Sequence, residues 1–316
     1  MIPYLFISGF LGAGKTTLLN NLLKRYAHLK IGVIVNDFGE LAVDNMLIDK
    51  KGVTGEILEL RAGQIFCSCL SGQFVDSVLA YESIQPDLLL VECSGLAKPA
   101  TLSDIVAVIN KKAPDCFAYA GMVSLIDGTR HEVLEQSLMV VTEQIEASDL
   151  LLISKTDQME PQKGQQLQDH LEEQYPEKII LSIPKDTVEL DLVALLKGKR
   201  KAFAQVDASK HAGWGELGRP VTFTLTPEML SSSEIESILR PFQNRWYRLK
   251  GTLATSDSGP RYFDGVLDYL DVLDSSCDEY GLVVITHDHG LEAELKSAFG
   301  LQPPSQPLQP IGLPVF

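Results

Sequence analysis

Gly9-Phe10-Leu11-Gly12-Ala13-Gly14-Lys15-Thr16 places three glycines, a lysine and a hydroxyl within eight consecutive residues. Residues of these types at this spacing can cradle a phosphate chain. Glycine lets backbone N–H groups close around an anion because no Cβ stands in the way. A helix starting at Lys15 would turn its positive end toward the same charge. In such a loop the lysine reaches the β- and γ-phosphates of a nucleotide, and the hydroxyl of Thr16 ligates magnesium. The bland alternative is a glycine turn that only caps a helix.

A magnesium site also needs a carboxylate at the end of a neighbouring strand. Leu88-Leu89-Leu90-Val91-Glu92 ends in one, and Cys93-Ser94-Gly95 follows, so Glu92 could hold a metal-bound water while Gly95 approaches the γ-phosphate. Asp37 is a second candidate for the magnesium shell, in a short loop reaching to Glu40; the bland alternative for both Asp37 and Glu92 is an exposed loop carboxylate. Further on, Ser154-Lys155-Thr156-Asp157 has the form of the guanine-reading motif of GTPases, with Ser in place of Asn. A carboxylate at Asp157 can accept both N1–H and the 2-amino group of guanine; adenine offers no such pair of donors. The Lys155 stem can lie along the base plane. Asp157 could instead cap the helix that follows.

The elements that must position these residues are legible as apolar runs. Candidate strands are Tyr4 to Ser8, Ile31 to Asn36, Leu88 to Glu92, Ala118 to Asp127, Leu150 to Ser154 and Ile179 to Ile183. Leu18, Leu19, Leu22 and Leu23 mark one face of a helix that starts at Lys15, and a second helix is expected over Val133 to Ala147. The strands are continuous apolar runs rather than alternating ones, so both faces of the sheet should be covered. The fold class is α/β: a doubly wound, mainly parallel sheet over residues 1–200, then a linker over 201–219. A smaller α+β domain should occupy 220–300. It is expected to contain a strand at Val221 to Thr226, two or three strands over Trp246 to Leu253 and Tyr262 to Val272, and a strand at Leu282 to Thr286, with helices at Ser233 to Phe242 and Leu291 to Phe299. Prolines at 303, 304, 307, 310 and 314 make residues 301–316 an extended tail.

The formal charge of −15 argues against a general nucleic-acid role, because an acidic surface repels a phosphate backbone. The basic run Lys197-Gly198-Lys199-Arg200-Lys201 is expected to be solvated linker. No apolar run reaches the length of a membrane span. Five cysteines without disulfide-framework spacing suit free thiols, and a cytoplasmic location is expected.

Together these segments resemble the CobW branch of the GTPase group that also contains UreG and HypB, proteins linked to metal-centre or cofactor assembly. The resemblance spans nearly the whole chain. It rests on GFLGAGKTTLLN at the phosphate loop, NDFGE at Asn36 to Glu40, ECSGLAKP at Glu92 to Pro99, SKTD at Ser154 to Asp157, and WYRLKG at Trp246 to Gly251. It implies that Gly9, Gly12, Ala13, Gly14, Lys15, Thr16 and Thr17 bind phosphate. Glu92 would belong to the magnesium shell and Asp157 would read the base of GTP. The loops after Asn36 and Glu92 would be switches that GTP orders and hydrolysis releases.

The resemblance also implies a metal motif, Cys-x-Cys-Cys after a glycine, from which this chain departs. The matching stretch is Gly63-Gln64-Ile65-Phe66-Cys67-Ser68-Cys69, so Cys67 alone occupies a matching cysteine position. Zinc prefers four ligands; Cys67, Cys69 and Glu40 offer three, and the favoured reading is that the two cysteines are small half-buried hydrophobes. His287-Asp288-His289 could hold a metal, but the reading favoured here is a loop in which Asp288 or His289 caps the next helix. The implied function is a GTPase that times delivery or repair of a metal or cofactor on a client protein. Its turnover should be slow alone, since no general base or arginine finger can be assigned. A nucleotide-dependent chaperone without metal cargo, or an ATP-using enzyme if Asp157 is only a cap, are the alternatives; oligomeric state is left open.

Overall fold

Seven strands run parallel in one sheet of the computed structural model, which describes residues 1–36, 57–60, 71–184, 190–196, 203, 221–275, 277 and 280–301. They are β1 (Ile2–Gly9), β2 (Ile31–Asn36), β3 (Ile57–Leu60), β4 (Leu88–Glu92), β5 (Phe117–Asp127), β6 (Leu150–Ser154) and β7 (Ile179–Ser182). Their order is β3-β2-β4-β1-β5-β6-β7, and each adjacent pair is parallel.

The strand period of two sends Tyr4 and Phe6 to one face of this sheet, and Leu5 and Ile7 to the other. Helices Ser71–Ile84 and Pro99–Lys112 cover the first face through Phe74, Val78, Leu102, Ile105 and Ile109. Helix α1 (Lys15–Arg25) covers the second through Leu18, Leu19, Leu22 and Leu23. With both faces dry, the strands have no polar side to show, and the doubly wound α/β expectation holds.

Three strands, β2, β4 and β6, have the bounds expected from sequence. The helix expected over Val133 to Ala147 is instead two, His131–Ser137 and Met139–Ala147, divided at Leu138, which is extended (φ −135, ψ 101) and buried. Packing of Leu138 overrides the local helical pattern there. The short strand β3 was not anticipated.

The described residues of the second unit form an antiparallel five-stranded sheet, β8 (Val221–Leu225), β9 (Arg248–Thr255), β10 (Gly259–Val266), β11 (Tyr269–Asp274) and β12 (Gly281–Thr286), in the order β11-β10-β9-β12-β8. Helices Ser232–Leu239 and Leu291–Ala298 pack Ile235, Leu239, Leu291 and Leu295 with Trp246, Phe263 and Leu282. Of the two or three strands expected over Trp246 to Leu253 and Tyr262 to Val272, three form, because the second run is a hairpin turned at Leu267 with φ 51.

The chain divides into two compact units, Met1–Glu216 and Leu217–Phe316. Phe203, expected in the linker, is buried in the first unit, its ring 6.2 Å from Phe6 and 5.6 Å from Tyr119. That one aromatic anchor was missed because the surrounding residues are small and polar. Asp37, Glu40, Cys67, Cys69, the basic run 197–201, the rest of 201–219 apart from Phe203, and the tail beyond Leu301 lie outside the described residues. Among the described residues, no helix is long and apolar enough to cross a membrane.

Candidate functional site

Parallel pairing brings the carboxyl ends of β4, β1, β5 and β6 to one edge of the sheet. Ile7 pairs with Glu92, Gly9 with Leu125 and Asp127 with Ser154, so the ends of four adjacent strands stand side by side. In open α/β sheets ligands bind at that edge.

Gly9 ends β1 at φ 130, and Gly14 enters α1 at φ 95. A Cβ on Gly9 would lie 2.5 Å from the Leu125 carbonyl oxygen, so β5 leaves no room for any other residue. Gly14 is the N-cap of α1 and no side chain caps the helix, which leaves its first-turn N–H groups for an anion. Lys15 is buried and folds back over the loop, its amine donating to the carbonyls of Gly9 at 2.9 Å and Phe10 at 3.2 Å. A phosphate oxygen would offer that amine a charged acceptor in place of neutral ones, and a stronger bond. Gly12 and Ala13 lie within the loop, and Thr17 is exposed on the first turn of α1.

The Thr16 hydroxyl donates to Glu92 Oε1 at 3.0 Å, and Glu92 is buried. Two hard oxygens, one from α1 and one from β4, thus converge beside the loop, a donor pair that fits magnesium rather than a soft metal. Next to Glu92, burial pushes the Cys93 thiol up to about 12, so it stays protonated at neutral pH. Cys93, Cys116 and Cys277 are free thiols.

Gly95 follows β4 and presses on the phosphate loop: a Cβ there would stand 2.6 Å from Leu11 Cδ2 and 2.7 Å from Leu11 N. On its other side, the buried Gln144 amide donates to the carbonyls of Gly95 at 3.2 Å and Ala97 at 3.0 Å. Sequence reasoning missed Gln144. The available signal was a polar residue on the same helical stripe as Val141 and Ile145.

At the end of β6, the Ser154 hydroxyl lies within donating distance of Ala13 O at 2.8 Å and Ile126 O at 3.1 Å. Lys155 takes φ 59, and its amine donates to Asp127 Oδ2 at 2.7 Å. Asp127 is fixed in turn by Thr129, whose N–H and hydroxyl both donate to Oδ1. Asp127 was read only as a strand end, although Asp127-Gly128-Thr129 spells a turn closed by its own side chain. Asp157 is exposed on the single 3-10 turn Thr156–Gln158. The next helix, Pro161–Gln174, has Glu160 as its N-cap, so Asp157 does not cap it.

In the second unit, Gly290 is the N-cap of the helix Leu291–Ala298, which corrects the expectation that Asp288 or His289 takes that position. Asp288 instead accepts the Gly290 N–H at 2.9 Å and a bond from Arg245 Nε at 2.9 Å, while His287 lies against the Tyr247 ring at 5.1 Å. Among the described residues, no group of three or more His, Cys, Asp or Glu side chains is placed to hold a metal ion.

The model of the CobW/HypB/UreG nucleotide-binding domain matches residues 3–182. The zinc chaperone YjiA of Escherichia coli is 34% identical over 164 residues, covering 49% of this chain and 50% of that protein. The zinc-regulated GTPase metalloprotein activator 1 of Dictyostelium discoideum is 26% identical over 301 residues, covering 84% of this chain and 61% of that protein. The crystal structure of Zn(II)-bound YjiA GTPase from E. coli aligns over 96% of this chain and 99% of that one, with 22% identity and a TM-score of 0.47. The chain spans about half the length of the first curated relatives it matches.

Proposed function

The chain belongs to the CobW/HypB/UreG family of nucleotide-binding domains, and on that premise we propose that it binds GTP with magnesium, hydrolyses it, and uses the cycle to deliver or repair a metal or cofactor on a cytoplasmic client protein. The observation that carries the reading is the bond from Thr16 to Glu92 at 3.0 Å, beside a lysine already folded over a glycine loop. A helix-capping turn requires neither.

In this reading Gly9, Gly12, Ala13, Gly14 and Thr17 line the phosphates, and Lys15 leaves the Gly9 and Phe10 carbonyls to meet the terminal ones. Thr16 and Glu92 hold magnesium, with Asp37 as a further candidate. The bound ion would neutralise charge on the β- and γ-phosphates. Asp157 accepts the guanine donors and the Lys155 stem lies along the base, its amine steadied by Asp127. Gly95 stands close enough to Leu11 for its loop to sense the terminal phosphate. Positioned N–H groups and Lys15 would offset charge as water attacks phosphorus. Turnover is slow until a partner joins. Calorimetry with GTP and magnesium tests the core of this reading: binding in the micromolar range or tighter is expected, and no heat from any purine triphosphate would overturn it.

Names of the relatives, zinc chaperones and a metalloprotein activator, support a metal-linked client. Zinc as cargo would fall to Cys67, Cys69 and Glu40. Gln64 and Phe66 at the motif's cysteine positions favour a second reading, a nucleotide-dependent chaperone without metal cargo. Metal analysis of protein purified without chelator separates them. Stoichiometric zinc lost in Cys67→Ala supports delivery; none supports the chaperone.

A further inference from the structure

Helix Met139–Ala147 belongs to neither nucleotide motif, and its other inward residues, Val141, Ile145 and Ala147, are apolar. Gln144 breaks that pattern at 1% exposure. A buried amide is retained against its desolvation cost only where its hydrogens are used, and here they go to two carbonyls of one loop, Gly95 at 3.2 Å and Ala97 at 3.0 Å. The loop is itself tight: Ala97 N–H donates to Ser94 O at 3.0 Å, and Leu96 N–H to Ser94 Oγ at 3.4 Å. Gly95 is held between this amide and the backbone of Leu11, with no space for a Cβ.

We infer that Gln144 is a positioning residue that sets the Gly95 loop against the phosphate loop, and thereby makes the site prefer a nucleoside triphosphate to a diphosphate. The inference rests on the nucleotide reading and adds to it the residue that couples the γ-phosphate to helix Met139–Ala147. Two bonds from one planar amide fix the tilt of the Gly95 peptide as well as its height. Without them, the buried carbonyls of Gly95 and Ala97 lose their partner, and the loop must shift to find another. The α- and β-phosphates rest on the glycine loop and α1, which Gln144 does not bond, so a diphosphate should not feel the change.

The test uses the full chain with Gln144→Met, which keeps the volume and removes both donors, and Gln144→Glu, which keeps the shape and places an acceptor against two carbonyls. Affinities for GDP and for a non-hydrolysable GTP analogue, both with magnesium, are read by calorimetry beside the melting temperature. In both variants the analogue is expected to bind about tenfold more weakly, with GDP within about twofold of the original chain. Equal losses for the two nucleotides, or unchanged affinity for both, would overturn the inference. If one variant does not fold, the other decides between these outcomes. Should the original chain bind neither nucleotide, the nucleotide reading itself fails, a result distinct from unaltered discrimination in the variants.

Discussion

Ser154 places its hydroxyl 2.8 Å from the Ala13 carbonyl across 141 residues of sequence, joining the end of β6 to the glycine loop that precedes α1. Ile126 O lies 3.1 Å from the same oxygen. A hydroxyl has one hydrogen to give, so with both acceptors belonging to the backbone, Ser154 acts as a tie between loops. Ser154→Ala should therefore weaken GDP and GTP alike, by about fivefold for a net bond of about 1 kcal/mol. Calorimetry checks this; a loss confined to one of the two nucleotides would contradict a tie that lies outside the phosphate count.

Asp157 is exposed on its turn while Lys155 beside it is anchored to Asp127 at 2.7 Å. Base choice should then rest on the one carboxylate. Asp157→Ala is expected to reduce the preference for GTP over ATP by about a hundredfold. Asp157→Asn should move the preference toward xanthosine triphosphate, because its amide donates where xanthine carries a C2 carbonyl. Competition binding against labelled nucleotide reads both, and an unaltered GTP to ATP ratio would return Asp157 to the surface.

Glu92 meets Thr16 with one oxygen from the end of β4. Glu92→Gln keeps the shape and removes the charge that a divalent ion requires. The maximal rate of GTP hydrolysis should fall by about a hundredfold, and the magnesium concentration for half-maximal rate should rise about tenfold, equivalent to roughly 1.4 kcal/mol. A magnesium titration of the hydrolysis rate is the measurement. An unchanged midpoint would place the ion elsewhere.

The strands that carry these residues were legible because each is a run of Leu, Ile or Val bounded by turn chemistry, and burial on both faces removes the ambiguity of alternation. β2, β4 and β6 emerge at the expected bounds for that reason. Leu138 was not legible, since no local pattern says that a leucine between two helical stretches will turn extended and go inside. Gly9, Lys15, Thr16 and Glu92 could be singled out from type and spacing alone, and the structure brings them together at one edge of the sheet. Asp127 and Gln144 escaped because their partners lie 28 residues away at Lys155, and 49 and 47 away at Gly95 and Ala97. Long-range pairing of that kind is set by strand order, which a linear pattern does not encode.

Arg245 grips the helix Leu291–Ala298 from outside, bonding Asp288 at 2.9 Å and both Glu294 oxygens at 2.7 and 2.8 Å. The guanidinium holds the carboxyls of Asp288 and Glu294 below their ordinary values. In the unfolded chain those acids titrate near about 4. Depressed folded values mean that the pair's stabilisation is complete above that pH, and fades as pH falls through the lower folded values. Arg245→Met removes the partner and leaves the stem. Its melting temperature should trail the original chain's at pH 7, and the gap should close in acid, once the pH has fallen well below the ordinary carboxylate range. Salt should narrow the gap at pH 7, because both acids are solvent-accessible and screened. Thermal unfolding at the two pH values decides it: a gap that widens on acidification would mean that Arg245 holds the helix by packing against Phe242, whose ring lies 5.6 Å from the guanidinium carbon, and not by charge.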